Sequence, residues 1–325
     1  MVATLDFSLE PLSLRDRYHG VLLGVACGDA LGGPVEFVHR VDIAERFPDG
    51  VREFVGGGWL DLDPGEITDD TQQTLILCRA LTEDGLDLPA FGEGLLEWFR
   101  SAPKDIGNTT VIALRALATG TSPSESGEVA LATRGERGAA ANGAVMRCAP
   151  VALRFRTDTA ALVQASLESA RVTHAESRAA WGAVAVNQAI VHLLNEGTIA
   201  AAPAAAVTGI PDQRVTEAVL AAAAMPRDEV AAGGFVLETV AASFWALANF
   251  PTAEEIIVQA VSLGDDADST GAVAGALAGA AFGAQGLPGR WREHVQYREE
   301  LNEQADRILA LSGSSRYSGG SANFR

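Results

Sequence analysis

Gly20-Val21-Leu22-Leu23-Gly24-Val25-Ala26-Cys27-Gly28-Asp29-Ala30-Leu31-Gly32 carries a glycine at every fourth position. Residues four apart lie on one face of a helix, so these glycines form a single stripe. Glycine disfavours a helix interior by roughly 1 kcal/mol relative to alanine, so packing or function must compensate. The stripe lets another backbone, or a ligand, approach closely. Ser13 is the expected cap of this helix, which runs through Tyr18 and Val21 toward Ala30. Alanine and glycine are abundant throughout and aromatics make up only 6% of the chain, which favours close helix-to-helix packing over a β-sandwich. The chain has 325 residues and no linker divides it, so one large, mostly α domain is expected.

Two oxygen-rich clusters each open an apolar helical run. Gly65-Glu66-Ile67-Thr68-Asp69-Asp70-Thr71 precedes residues 75–81, and Gly264-Asp265-Asp266-Ala267-Asp268-Ser269-Thr270 precedes residues 272–284. Acidic residues in a first helical turn also serve as caps and dipole partners, which is the simpler reading of either cluster alone. The recurrence of a hydroxyl beside paired carboxylates points to two halves of one metal site, because crowded anions need a cation between them. Oxygen ligands without histidine or cysteine favour Mg²⁺ or Mn²⁺ over zinc and leave calcium as an alternative, although no EF-hand spacing is present.

The formal net charge of −18 argues against a surface that coats nucleic acid. Cys27, Cys78 and Cys148 lie in apolar or helical contexts without a paired spacing, as expected of free thiols in a reducing compartment. The first residues lack a basic segment followed by an apolar core, and the low-polarity run 271–284 is too short to span a bilayer. A cytoplasmic, monomeric protein that does not engage membranes is expected.

Between the clusters, helices are expected at 87–99, 111–118, 162–170, 178–194, 235–248 and 254–263, and a charged helix from 292 to about 311. Residues 40–63 read as irregular and 119–136 as an exposed loop. Glu36 sits in a turn, where a carboxylate is ordinarily solvated. Asp105 and Asn108 read as capping residues. Residues 139–147 begin a further helix whose Gly/Ala-rich start offers amides to an anion such as a diphosphate. His174 at a helix entry and His192 on an apolar face have structural readings. The domain is expected to span 1–311, followed by a Gly/Ser-rich disordered tail, 312–325.

Taken together, residues 24–32, Thr68-Asp69-Asp70-Thr71, Asn142-Gly143-Ala144-Val145-Met146-Arg147, Thr173-His174 and Asp266-Ala267-Asp268-Ser269 resemble the ADP-ribosylglycohydrolase family. The resemblance covers roughly residues 20–283. It implies an all-α fold, a single compact many-helix domain with a binuclear cleft holding two divalent cations, Mg²⁺ or Mn²⁺. By this similarity Thr68, Asp69 and Asp70 ligate metal from one side and Asp266, Asp268 and Ser269 from the other, Ser269 standing where threonine is usual. Ala141, in place of a more common glycine, would open the phosphate loop 141–147, with Asn142, Gly143, Ala144, Val145, Met146 and Arg147 binding substrate. Glu36 matches an acidic residue of the active-site flap. Asp105 and Asn108, in Asp-Ile-Gly-Asn, match a branch whose loop contacts the ribose nearest the scissile bond. His174 would help bind ADP-ribose. The catalytic carboxylates implied are Glu36, Asp69 and Asp105.

The activity implied is metal-dependent hydrolysis of the glycosidic bond between ADP-ribose and a modified protein side chain, arginine before serine or another O-linked residue, with ADP-ribose released. A catalytically inactive ADP-ribose-binding protein is the first rival. A binuclear phosphohydrolase, the reading that the carboxylates alone would give, is the second.

Overall fold

A computed structural model of the chain describes residues 12–312. Its first helix, α1 (Leu14–Gly32), starts at Ser13, whose hydroxyl accepts from the Asp16 amide at 3.1 Å. The chain continues through α2 (Arg40–Arg46) and α3 (Asp69–Ala80) to a ribbon, β1 (Leu81–Thr82) and β2 (Gly85–Leu86), paired antiparallel with Leu81 opposite Leu86. Next come α4 (Leu88–Arg100), α5 (Asn108–Ala118), α6 (Ser126–Ala139), α7 (Ala149–Arg154), α8 (Thr159–Arg171) and α9 (Ser177–Leu194). The short α10 (Ala202–Ala206) and α11 (Gln213–Ala222) lead to α12 (Val236–Asn249), α13 (Ala253–Val261) and α14 (Ala267–Phe282). The small α15 (Gly289–Arg292) and the final α16 (Arg298–Ser312) complete the described chain. The expected all-α architecture is therefore the one observed, the ribbon serving only to turn α3 into α4.

The glycine stripe is answered by a second one. Gly20, Gly24, Gly28 and Gly32 of α1 face Gly279, Gly275, Gly271 and Ala267 of α14, so the helices run antiparallel. A Cβ on Gly24 would lie 2.1 Å from the Gly275 carbonyl oxygen, and one on Gly275 2.0 Å from that of Gly24. No side chain fits there, and the missing Cβ atoms let the two backbones touch. This accounts for the glycines that helix propensity disfavours. The end of α14 is closed by Arg17, whose Nη1 donates to the Ala280 and Ala281 carbonyls at 2.6 and 2.8 Å, satisfying acceptors that a helix end leaves free.

The pair is buried nearly throughout, from Gly20 to Gly32 and from Ala267 to Ala280. Helices α9, α12 and α13 pack on α14, and α3 and α16 on α1. Tyr18 ties α1 to the end of α7 through a 2.7 Å bond to the Leu153 carbonyl.

Three expectations need correction. Residues 40–46 form α2 rather than irregular chain, started by His39, whose ring accepts from the Val41 amide. Much of 119–136 is helical, as α6. Its small residues Ser126, Gly127 and Ala130 make a narrow buried face, and Ser126 donates to the Val172 carbonyl at 2.7 Å. Composition shows polarity there but hides that face. Residues 142–144 form a single 3₁₀ turn instead of a helix start, and α7 begins only at Ala149, with Pro150 in its first turn. Residues 313–325 of the expected tail lie outside the described residues, while Ser312 closes α16.

Replacing Gly24 by alanine should destabilise the protein by about 1–3 kcal/mol, the usual range for overpacking, although alanine is the better helix former. Chemical denaturation measures it; a variant as stable as the parent would contradict the close crossing of α1 and α14.

Candidate active site

The antiparallel crossing sets the end of α1 beside the start of α14, and α3 begins against both. Asp29, fully buried near the end of α1, accepts the Thr68 amide (2.9 Å) and hydroxyl (2.8 Å) on Oδ1 and the Thr71 amide (3.0 Å) and hydroxyl on Oδ2. A carboxylate on one helix thus caps another. Thr68 occupies the cap position of α3 yet makes no capping bond with its own side chain, and Asp266 likewise makes none for α14. Neither cap position is thus satisfied by its own side chain, while Asp69, Asp70 and Asp268 stand in the first turns of their helices.

Freed from capping, these groups converge. Thr68 Oγ1 lies 3.3 Å from Asp70 Oδ2 and 3.4 Å from Asp268 Oδ2. Asp29, Asp70 and Asp268 each offer an oxygen within 4.8 Å of the others. Asp70 Oδ1 is buried without a hydrogen-bond partner. Burial, then Asp29, holds the Asp70 carboxyl well above its ordinary range. Burial, then Asp70, does the same to Asp268. Asp29 is pushed up to about 6 by burial, against the opposing pull of its Thr71 and Thr68 bonds.

A second group, Glu36, Asp105 and Asp268, shares the last of these carboxylates and meets the same 4.8 Å limit. Glu36 Oε2 accepts the Trp59 indole N–H at 2.6 Å. Burial, then Asp105, pushes Glu36 up to about 8. Burial, followed by the neighbouring Asp105 charge, raises Asp69 strongly. The backbone at Glu36 is held by two residues in the left-handed region, Phe37 (φ 60°) and Asp265 (φ 54°). The Phe37 amide donates to the Asp265 carbonyl at 2.6 Å, and the Asp265 amide to that of Val38 at 3.1 Å. Such conformations cost about 1–3 kcal/mol each in side-chain-bearing residues and persist where surrounding structure enforces them. Here they aim Glu36 and Asp266 at one cavity.

A wall rises from the turn at 142–144. The Asn142 amide donates to the Gly234 carbonyl, and its side-chain Nδ2 to Thr239 (3.0 Å) and Asp266 (3.2 Å). The Gly143 position is pressed on His174, whose Cε1 would lie 2.6 Å from any Cβ there. Buried hydrogen bonds connect this wall to the floor. Gln73 donates to Asp69 at 2.8 Å and accepts from Arg147, and Arg147 donates to the Thr173 hydroxyl at 2.6 Å. That hydroxyl lies 2.7 Å from His174 Nδ1. Because it accepts from Arg147, its proton is free for Nδ1, which assigns the histidine proton to Nε2. Burial and then Arg147 push His174 down to about 3, so the ring is neutral at physiological pH.

The cavity measures about 350 Å³, within the range of small-molecule sites. Glu36, Asp69, Asp105, Asn108, Ala141, Asn142, Gly143, Met146, His174, Asp266, Asp268 and Ser269 line it, with Thr68 and Asp70 packed against its floor. Three expected substrate contacts are placed otherwise. Ala144 and Val145 are buried in the core. Arg147 is also buried, under Phe91 and bonded to Gln73 and Thr173, because its guanidinium needs partners that the wall interior provides. Sequence reading gave no role to Asp29, Phe37, Trp59 or Arg134, though all but Asp29 line the cavity. The glycine-rich run before Trp59 was its only signal, and Asp29 was masked by the apolar helix around it.

Against known proteins, residues 10–317 match the family described as ADP-ribosylglycohydrolase. ADP-ribosyl-[dinitrogen reductase] glycohydrolase from Rhodospirillum rubrum is 33% identical over 93% of this chain and 98% of its own length. ADP-ribosylarginine hydrolase Tri1 from Pseudomonas putida is 32% identical over 93% of this chain and 80% of its own. A solved structure titled ADP-ribosylglycohydrolase-related protein complex superposes with a TM-score of 0.78 at 33% identity, covering 92% of this chain and 99% of that one. With the family matched almost end to end, the chain belongs to the ADP-ribosylglycohydrolases.

Proposed function

We propose that this protein hydrolyses the glycosidic bond between ADP-ribose and a modified arginine side chain, releasing ADP-ribose. The observation that carries the reading is the convergence of two carboxylate groups that share Asp268, beneath a cavity walled by a neutral histidine and the turn at 142–144. Both relatives named above are described as acting on ADP-ribosyl groups, one of them on arginine. Asp105 and Asn108 support the arginine linkage through the Asp-Ile-Gly-Asn loop.

The residues present fit a pair of hard cations. Their donors are all oxygens, one carboxylate oxygen is buried without a partner, and the raised carboxyls signal negative charge lacking compensation. Thr68, Asp69, Asp70, Asp266, Asp268 and Ser269 would hold Mg²⁺ or Mn²⁺, with Asp29 fixing Thr68 from behind. When bound, the ions supply Lewis acidity at the sugar.

The side chains supply the rest. Cleavage develops oxocarbenium character on the ribose, and the guanidine that departs with the bonding pair takes up a proton. Glu36 is held protonated near neutral pH by burial and Asp105, so its carboxyl is suited to deliver one. Asp105, which lines the same cavity, orients the ribose and receives a proton from the attacking water. His174 donates through Nε2 to an oxygen of ADP-ribose, and the turn at Ala141, Asn142 and Gly143 faces its diphosphate. Buried thiols at Cys27, Cys78 and Cys148 suit a reducing, cytoplasmic setting.

Release of ADP-ribose from modified arginine should require Mn²⁺ or Mg²⁺ and fall to background in Asp69→Ala and Asp268→Ala while circular dichroism remains native; parental rates in either variant reject the assignment. Asp105→Ala should retain metal binding by calorimetry and lose about 10²–10⁴-fold in kcat, the usual weight of a proton-transfer group. AMP and ribose-5-phosphate as products would instead indicate a phosphohydrolase.

A pH dependence follows from the raised carboxyls. Between about pH 4, where unfolded carboxyls ionise, and about pH 8, the folded metal-free protein holds protons that the unfolded chain has released. Its stability therefore falls as pH rises through that window. Metal displaces the protons of its ligand carboxyls, which are raised in the same direction, and leaves that of Glu36, so Mn²⁺ should raise the melting temperature several degrees more at pH 8 than at pH 5.5. Equal shifts at the two pH values would remove the link between these carboxylates and the metal.

A further inference from the structure

Phe37 and Trp59 come from different loops yet stack at the cavity, ring centroids 5.5 Å apart and planes tilted by 37°. They are 66% and 54% exposed, although large aromatics in this chain are otherwise mostly buried. The fold holds them there deliberately. The left-handed Phe37 backbone is locked to Asp265, and a Cβ on Gly58 (φ 74°) would lie 2.9 Å from Pro34, so the loop carrying Trp59 is pressed onto the turn that precedes Glu36. Two rings kept in water at the edge of a polar cavity mark a surface awaiting a ligand. The His174 and Asn142 part of the lining suits the diphosphate half of a substrate, which leaves the side-chain half for the part formed by Glu36, Phe37 and Trp59.

We propose that Phe37 and Trp59 form the wall that receives the arginine side chain carrying the sugar, the planar guanidinium stacking on the rings while the Trp59 indole N–H fixes the Glu36 carboxyl beside it. This inference rests on the arginine reading above. A sugar-linked guanidinium stays planar and cationic, the group that aromatic faces hold best, and the Asp105 carboxylate complements its charge. A serine-linked ADP-ribose brings no cation to this wall. Phe37 is thus a specificity-determining residue, and Trp59 is in addition a positioning residue for Glu36, reached through its 2.6 Å bond.

The test measures kcat and KM on ADP-ribosyl-arginine and ADP-ribosyl-serine peptides with saturating Mn²⁺, together with the Kd of free ADP-ribose. Phe37→Leu should raise KM for the arginine peptide about tenfold, or about 1.4 kcal/mol, with the ADP-ribose Kd unchanged. Trp59→Phe keeps a ring and loses the N–H, so kcat should fall about tenfold with KM held. Variants matching the parent on the arginine peptide, or losing free ADP-ribose affinity in step with KM, overturn the wall. A parent that binds ADP-ribose but leaves the arginine peptide intact overturns the arginine reading itself and the wall with it.

Discussion

Backbone contact between α1 and α14 is the constraint on which the rest of this molecule depends. Carbonyls and Cα atoms of the two helices meet where side chains would ordinarily intervene, so the pair has almost no freedom to slide or rotate. Its antiparallel sense joins the last turn of one helix to the first turn of the other, bringing Asp29 beside Thr68 and Thr68 beside Asp268. Tight packing elsewhere in the core supports this arrangement, but only the glycine contacts fix its register to a fraction of an ångström.

What that register assembles is electrostatically unfavourable without a ligand. Asp29, Asp70 and Asp268 are buried within reach of one another, and Glu36 and Asp105 join them through Asp268. The only buried guanidinium nearby, among the described residues, is that of Arg147, and it reaches the cluster through Gln73 rather than by direct pairing. The protein thus keeps its compensating positive charge at a distance, and the carboxylates form groups that could hold a cation. The same Arg147 sets the hydrogen bonding of His174 through Thr173, so one buried cation shapes both the floor and the wall of the cleft.

Much of this was legible in the sequence, unevenly. The helical class followed from periodicity and the scarcity of aromatics, and the four-residue glycine spacing in α1 disclosed a close contact without disclosing the partner. The partner had the same spacing, at Gly271, Gly275 and Gly279, but a low-polarity run reads most readily as ordinary core. The acidic clusters stood out because carboxylates and hydroxyls repeated. Arg147 was misplaced because a basic residue following an amide-rich turn looks like a phosphate ligand, and nothing local reveals that its partners come from Gln73 and Thr173. Asp29, Phe37 and Trp59 could not be weighed for the same reason: their meaning lies in contacts with segments tens of residues away. Helix α6 was hidden by composition, its buried face being only Ser126, Gly127 and Ala130 wide before it reaches Ala139.

Asp29 has one further consequence. Because a carboxylate from the central pair supplies the bonds that start α3, that helix cannot fray at its beginning without stranding a buried anion, and the pair cannot separate without unwinding α3. Opening at the start of α3 is therefore coupled to the α1–α14 pair through Asp29. The acidic pocket thus draws on α1, α3 and α14 at once, and no single helix carries it alone.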